Sequence, residues 1–361
     1  MPASSGRPVQ PRAKFKSDRL PAKIKREIIA PNNLKSIVMK AVICKRLGNP
    51  EALSLETVDS PPFPGPDQVK IAIHACGVNF ADTLIIQGKY QLRPEPPFSP
   101  GMEVSGEVLE CGPGVTDLKV GDRVLAVLSY GGYAEEVVAP AVAVVPLPSN
   151  MDFITAAGFP VAYGTSHLAL THRAHLQPGE NLLVHGAGGG VGLTAVEIGK
   201  VLGATVIATA GGEEKLKVAA EHGADYLIDY AKEDIRDRVK ALGGADVVYD
   251  PVGGDVFDAS LRCINWEGRI LAIGFASGKV PHPPANHLLV KNCAVIGLYW
   301  GAYLQRNPKL MHGSLSQLLE WYAQGKLKPH VSQTFPLEQA KDALFELLAR
   351  RTTGKVVITM R

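Results

Sequence analysis

From Met39 to about Asn150 the chain is a series of short apolar runs broken by glycine, proline and aspartate. Residues 39–43 (MKAVI), the alternating 69–73 (VKIAI), 104–109 (VSGEVL) and 123–127 (RVLAV) have the length and composition of strands, the last entered through a Gly121-Asp122 turn. Residues 61–66 (PPFPGP) read as an extended connector. This half is predicted to be a compact β-rich barrel. Beyond Asn181 the period changes. Residues 182–185 form a short apolar strand, Val191, Leu193, Val196, Ile198 and Val201 recur at helical intervals until Gly203 stops them, and 205–208 is the next strand. Strands at 226–230, 246–250 and 269–274 then alternate with helices near 215–221, 233–242 and 256–263. Repeated strand–helix units of this kind build a doubly wound parallel sheet with ligand at the carboxyl ends of its strands.

Between the strand at 182–185 and the helix after it lie Gly186, Gly188, Gly189, Gly190 and Gly192. A pyrophosphate approaches backbone N–H groups at a helix N-terminus only where no Cβ intervenes, and the helix dipole favours its charge. Glycine-rich turns also occur simply to pack strand against helix, but here both flanks fit the strand–turn–helix context of a dinucleotide site. These glycines and Val191 are therefore candidate cofactor-binding residues. A dinucleotide enzyme specific for NAD places an acid at the end of the second strand, and this chain has Ala210-Gly211-Gly212 there, with Lys215 following as a point charge suited to a phosphate. NADP(H) is the cofactor expected; Glu213 and Glu214 count against a phosphate there, and their alternative role is to favour the dipole of the helix they begin.

Composition narrows the class. The chain has 361 residues, 46% apolar and 20% charged, with no run of eighteen apolar residues that could cross a membrane. The net charge of +3 is uneven, because residues 1–38 hold nine Lys/Arg against two acids. With five prolines and few large apolar residues, this tail is expected to be disordered, and Met39 opens the first strand as if the tail were an upstream extension. The five cysteines are dispersed singly, with no C-x-x-C pair, which suits a reducing compartment. A cytoplasmic location is expected, with a mitochondrial one as the alternative.

The order of the pieces resembles the medium-chain dehydrogenase/reductase superfamily, and within it the zinc-free quinone oxidoreductase branch that includes zeta-crystallin. The resemblance rests on residues 77–82 (GVNFAD), 88–90 (GKY), 101–106 (GMEVSG), 121–124 (GDRV), the glycine loop and 354–357 (GKVV). It implies an α/β fold with a Rossmann sheet and a GroES-like β-rich domain: tail 1–38, GroES-like catalytic domain 39–160 completed by 299–361, and NADP-binding domain 161–298. In zinc-dependent members a Cys and a His bind the catalytic metal where this chain has Asn79 and Met102. No cysteine lies between Cys111 and Cys263 to supply a second zinc site. No metal is expected.

The resemblance also implies site residues. Lys215 and Tyr230 match positions that contact the cofactor's 2′-phosphate; Thr165, Gly274, Phe275, Leu298 and Tyr299 match positions around the nicotinamide. Tyr90 and Asn79 are the candidate catalytic residues, since a Tyr hydroxyl or an Asn amide can donate to a developing oxyanion. The alternative is that Tyr90 covers the nicotinamide while Asn79 fixes a loop. Residues 292–297 resemble the edge strand that pairs two subunits, so a homodimer is expected. Without a Lewis acid the acceptor must itself spread the charge that hydride brings, which points to a quinone or enone as small-molecule substrate. Two rival functions stay open: an enoyl-thioester reductase, and an NADPH-binding structural or RNA-binding protein, which only the basic tail supports.

Overall fold

The computed structural model describes residues 37–360, and the expectations for residues 1–36 of the tail fall outside it. The β-rich half opens with β1 (Val38–Cys44) paired antiparallel to β2 (Leu53–Asp59). The long β3 (Gln68–Val78) leads into a short helix, α1 (Phe80–Ile86), and β4 (Glu103–Cys111), β5 (Arg123–Val127), β6 (Glu136–Pro140), β7 (Val144–Pro146) and helix α2 (Phe153–Ala157) follow. β3 runs five residues past the alternating stretch because Ala75, Cys76 and Val78 stay buried between neighbours on both sides. Sequence alternation ended where both faces became covered.

Helix α3 (Pro160–His167) continues as a π-helical turn, Leu168–Arg173, into the second half. There β8 (Asn181–His185), α4 (Gly190–Val201), β9 (Thr205–Ala210), α5 (Glu213–Glu221), β10 (Tyr226–Asp229), α6 (Ile235–Ala241), β11 (Ala245–Asp250), α7 (Asp255–Cys263), β12 (Ile264–Ala272), α8 (Ala285–Lys291) and β13 (Ala294–Gly297) alternate as the pattern required. The six strands are parallel in the order β10-β9-β8-β11-β12-β13. Successive residues enter different cores: Leu182, Val184, Val206 and Val247 pack on one face, Leu183, Ile207, Val248 and Ile270 on the other. Strand order reverses between β8 and β11, the switch point at which such sheets open a ligand crevice.

The chain then forms α9 (Tyr303–Arg306), α10 (Pro308–Ala323), β14 (Val331–Pro336), α11 (Ala340–Leu348) and β15 (Lys355–Thr359). Helix α10 packs against α3 and against β7 of the barrel. Met311, Leu315, Leu318 and Leu319 recur at helical spacing and join the core that holds Leu182 and Val206, and Ser314 Oγ lies 2.8 Å from His167 Nδ1 on α3. The return is made by β14 and β15, which complete a sheet ordered β14-β15-β3-β4-β5-β7 with β6 also on β3. β15 lies antiparallel to β3, with Val357 opposite Gly77. Among the described residues no helix is long and apolar enough to cross a membrane.

Gly106 shows how tightly the barrel closes, since a Cβ there would sit 1.9 Å from the Ala72 carbonyl oxygen of the paired strand. Gly106→Ala is expected to cost about 1–3 kcal/mol or more through overpacking, read as a lowered urea midpoint; an unchanged midpoint would contradict this packing.

Candidate active site

The glycine loop occupies the switch point. Gly186 takes φ +59°, which a side chain would strain, and turns the chain out of β8. A Cβ on Gly192 would lie 2.1 Å from Gly186 O, so the first turn of α4 can rest on that bend only with glycine at 192. Gly189 is the N-cap of α4 and no side chain caps the helix. The first N–H groups of α4, at Gly190, Val191 and Gly192, lack intrahelical acceptors, so a phosphate group fits against them. Gly188 is pressed against α5, where a Cβ would come within 2.7 Å of Lys215 Cβ. Beneath the loop His185 is fully buried, with Nδ1 2.9 Å from Thr209 Oγ1 and Nε2 2.7 Å from Ser260 Oγ. Ser260 gives its own proton to Val256 O, so Nε2 carries the ring proton, and burial lowers the pKa to keep the ring neutral.

Three segments converge at the end of β9. Tyr230 lies over Gly211, where a Cβ would approach the phenol oxygen to 2.8 Å. Lys215 Nζ donates to Arg350 O at 2.7 Å, and the Arg350 guanidinium donates to Ala276 O at 2.6 Å. Arg350 was missed in the sequence: it lies far along the chain, and its φ of +58° has no local signature. Asp229 accepts from the backbone N–H groups of Gly212 and Ala231, and Glu213 and Glu214 open α5 directly after Gly212. Cationic groups and a phenol therefore share this corner with a carboxylate that is already engaged.

The other residues inferred from the sequence lie on α3, after β12 and β13, and in the barrel half. Thr165 is 8% exposed on α3. Gly274 and Phe275 follow β12, and Leu298 and Tyr299 follow β13, with Leu298 N bonded to Ala272 O. Trp300 packs on α3 at Gly164, where a Cβ would meet the indole at 2.5 Å. Tyr90 comes from the barrel half and meets Tyr299 edge to face, with centroids 6.0 Å apart. Burial raises the Tyr90 pKa, so its hydroxyl stays protonated and able to donate at neutral pH.

Asn79 follows β3, as the N-cap of α1, in a buried polar net. Its amide oxygen accepts from Lys355 Nζ at 2.8 Å, and Nδ2 donates to Glu103 Oε1 at 2.8 Å. Glu103 also accepts Lys355 Nζ at 2.8 Å and, through Oε2, the N–H of Val161 at the start of α3. Asp82 closes a capping box on α1 by accepting Asn79 N, and it receives Gly101 N and Tyr133 OH as well. The Asn79 amide is thus held by hydrogen bonds to Lys355 and Glu103, while Tyr90 packs against the barrel core and the ring of Tyr299. Met102 is buried in the barrel core. Among the described residues no three His, Cys, Asp or Glu side chains gather to hold a metal ion.

Burial pushes the Asp82 carboxyl up to about 7 against the hydrogen bonds it receives from backbone N–H groups. An acid raised on folding holds its proton more tightly in the folded state. Its contribution to stability is present in full below about pH 4 and is lost as pH rises to about 7. Asp82→Asn is expected to flatten the fall in stability between these limits, measured by urea unfolding at several pH values; an unchanged slope would remove Asp82 as its source.

The comparisons with known proteins bear on the family and the fold. Residues 65–149 match the family described as alcohol dehydrogenase GroES-like domain, and residues 190–322 the one described as zinc-binding dehydrogenase. The chain is 48% identical over 328 residues to quinone oxidoreductase-like protein 2 homolog of Nematostella vectensis, covering 89% of each. It is 42% identical over 326 residues to quinone oxidoreductase-like protein 2 of Mus musculus, covering 89% of this chain and 92% of the relative. The crystal structure of Escherichia coli quinone oxidoreductase complexed with NADPH superposes with a TM-score of 0.82 at 30% identity, covering 89% of this chain and 99% of that one. With a GroES-like half, a parallel sheet carrying the glycine loop and relatives matched along nearly their whole length, the chain belongs to the medium-chain dehydrogenase/reductase family, in its quinone oxidoreductase-like branch.

Proposed function

We propose that this protein is an NADPH-dependent reductase of quinones or other α,β-unsaturated carbonyl acceptors. The observation that carries the reading is the corner at the end of β9, where Lys215, Arg350 and Tyr230 converge and Asp229 is turned onto backbone N–H groups. A 2′-phosphate suits that corner, and the NADPH complex of the Escherichia coli relative supports the choice. The uncapped start of α4 takes the pyrophosphate, and Thr165, Gly274, Phe275, Leu298 and Tyr299 line the nicotinamide end. When bound, the cofactor supplies a hydride from its ring carbon C4.

The chain's own residues orient the acceptor and exclude water. Tyr90, protonated and held against Tyr299, donates to the acceptor oxygen on which charge collects. A conjugated acceptor spreads that charge through its own π-system, which suits a pocket whose built-in cation is an ammonium, Lys355, touching Asn79. Asn79 serves mainly to position this wall. The protein works as a homodimer: β13 is the outer strand of its sheet, and Trp266, Leu289 and Val290 beside that end are 65%, 75% and 63% exposed. Its five free thiols fit the cytoplasm.

NADPH oxidation over a panel of quinones, enones and enoyl thioesters, with a chelator control, tests the reaction; activity with enoyl thioesters alone, or abolished by chelator, would contradict it. In that assay Lys215→Ala is expected to raise KM for NADPH roughly 10- to 100-fold, the worth of a charge-assisted hydrogen bond, with KM for NADH nearly unchanged. Tyr90→Phe is expected to lower kcat by about 100-fold. Sedimentation at micromolar concentration should give a dimer; a monomeric parent protein would end that part of the reading.

A further inference from the structure

A lysine beside a glycine loop is ordinarily taken for a phosphate ligand. Lys355 adjoins this loop closely: the neighbouring Gly354 N–H donates to Gly188 O at 2.8 Å, and a Cβ on Gly190 would meet Lys355 Cδ at 3.3 Å. Yet its ammonium is turned the other way. An ammonium has three protons, and each has an acceptor: Val78 O at 3.0 Å, Asn79 Oδ1 at 2.8 Å and Glu103 Oε1 at 2.8 Å. The side chain is 8% exposed and that of Glu103 is fully buried.

The surroundings are shaped to hold this pair. Gly158 leaves room for the Lys355 stem, where a Cβ would lie 3.2 Å from Lys355 Cβ, and Gly77 leaves room for Glu103, where a Cβ would lie 2.4 Å from Oε1. Between the two charges the Asn79 amide has one allowed orientation. Turned over, it would set its NH2 against an ammonium and its oxygen against a carboxylate. The ammonium draws charge from Oδ1 and so strengthens the Nδ2–H end as a donor. One of those two protons goes to Glu103, while the other reaches only Gly77 O at 3.4 Å.

We propose that Lys355 is a positioning residue, a buried cation that acts by holding and polarising the Asn79 amide and is not a ligand of the cofactor phosphates. The proposal rests on the reading of the reaction above.

Lys355→Met alone strands a buried carboxylate and can unfold the protein, so the test uses the charge-neutral pair Glu103→Gln/Lys355→Met together with Asn79→Ala. Three quantities are read: the melting temperature of the cofactor-free protein, Kd for NADPH by nicotinamide fluorescence, and kcat with the fastest acceptor found for the parent enzyme. The neutral pair should melt higher than Lys355→Met and bind NADPH within about threefold of the parent, while kcat falls roughly tenfold or more and adding Asn79→Ala lowers it no further. A Kd weakened about tenfold would make Lys355 a phosphate ligand, and parental kcat in the neutral pair would make it a support of the fold alone; either overturns the proposal. If the neutral pair does not fold, Asn79→Ala decides, since parental kcat in that variant also overturns it. A parent protein that binds NADPH but reduces no conjugated acceptor would overturn the reaction instead, and the Kd and melting readouts would still decide between a phosphate ligand and the buried clamp.

Discussion

The structure depends on keeping one ammonium and one carboxylate buried together. Removing two charges from water costs several kcal/mol per ion, and their attraction offsets this only when the remaining protons and lone pairs are satisfied. Lys355 and Glu103 meet that condition with partners from the end of β3, the start of α3 and the first residue of β15. The pair thereby ties the barrel to the helix that enters the nucleotide half. Replacing either group alone would strand the other.

The same junction sets the crevice. Gly354 and Gly189 form an isolated parallel bridge, and Gly354 N–H reaches Gly188 O, so the strand that carries Lys355 is stitched to the glycine loop. Arg350, four residues earlier, reaches across to Lys215 and Ala276. One short segment, residues 350–355, thus touches Lys215 at the start of α5, the glycine loop and the buried net. The two halves meet through backbone hydrogen bonds and a charge pair, interactions with fixed directions, which holds the reacting ends in register.

Apolar periodicity was sufficient to recover nearly every strand and helix of the sheet. In β8, β9 and β11 the runs are continuous because both faces are covered, and the glycines between β8 and α4 mark a turn that needs φ > 0 at Gly186 and no Cβ at Gly192. The destination of α10 could not be read in the same way. Its apolar stripe says that one face is buried but not against what, and α3 together with β7 of the barrel proved to be the partners.

What the sequence determined by itself was local or periodic: the order of elements, the dinucleotide turn, the lack of an acid after Ala210, and the lysine that follows it. What only tertiary structure decided was pairing between distant residues: Arg350 with Lys215, Tyr90 with Tyr299, and Lys355 with Glu103 and Asn79. Periodicity reports which face of an element is buried, because the hydrophobic effect has no direction and acts through area. Hydrogen bonds and charge pairs depend on distance and angle, and those exist only once β15 lies beside β3 and the two halves have closed on one another.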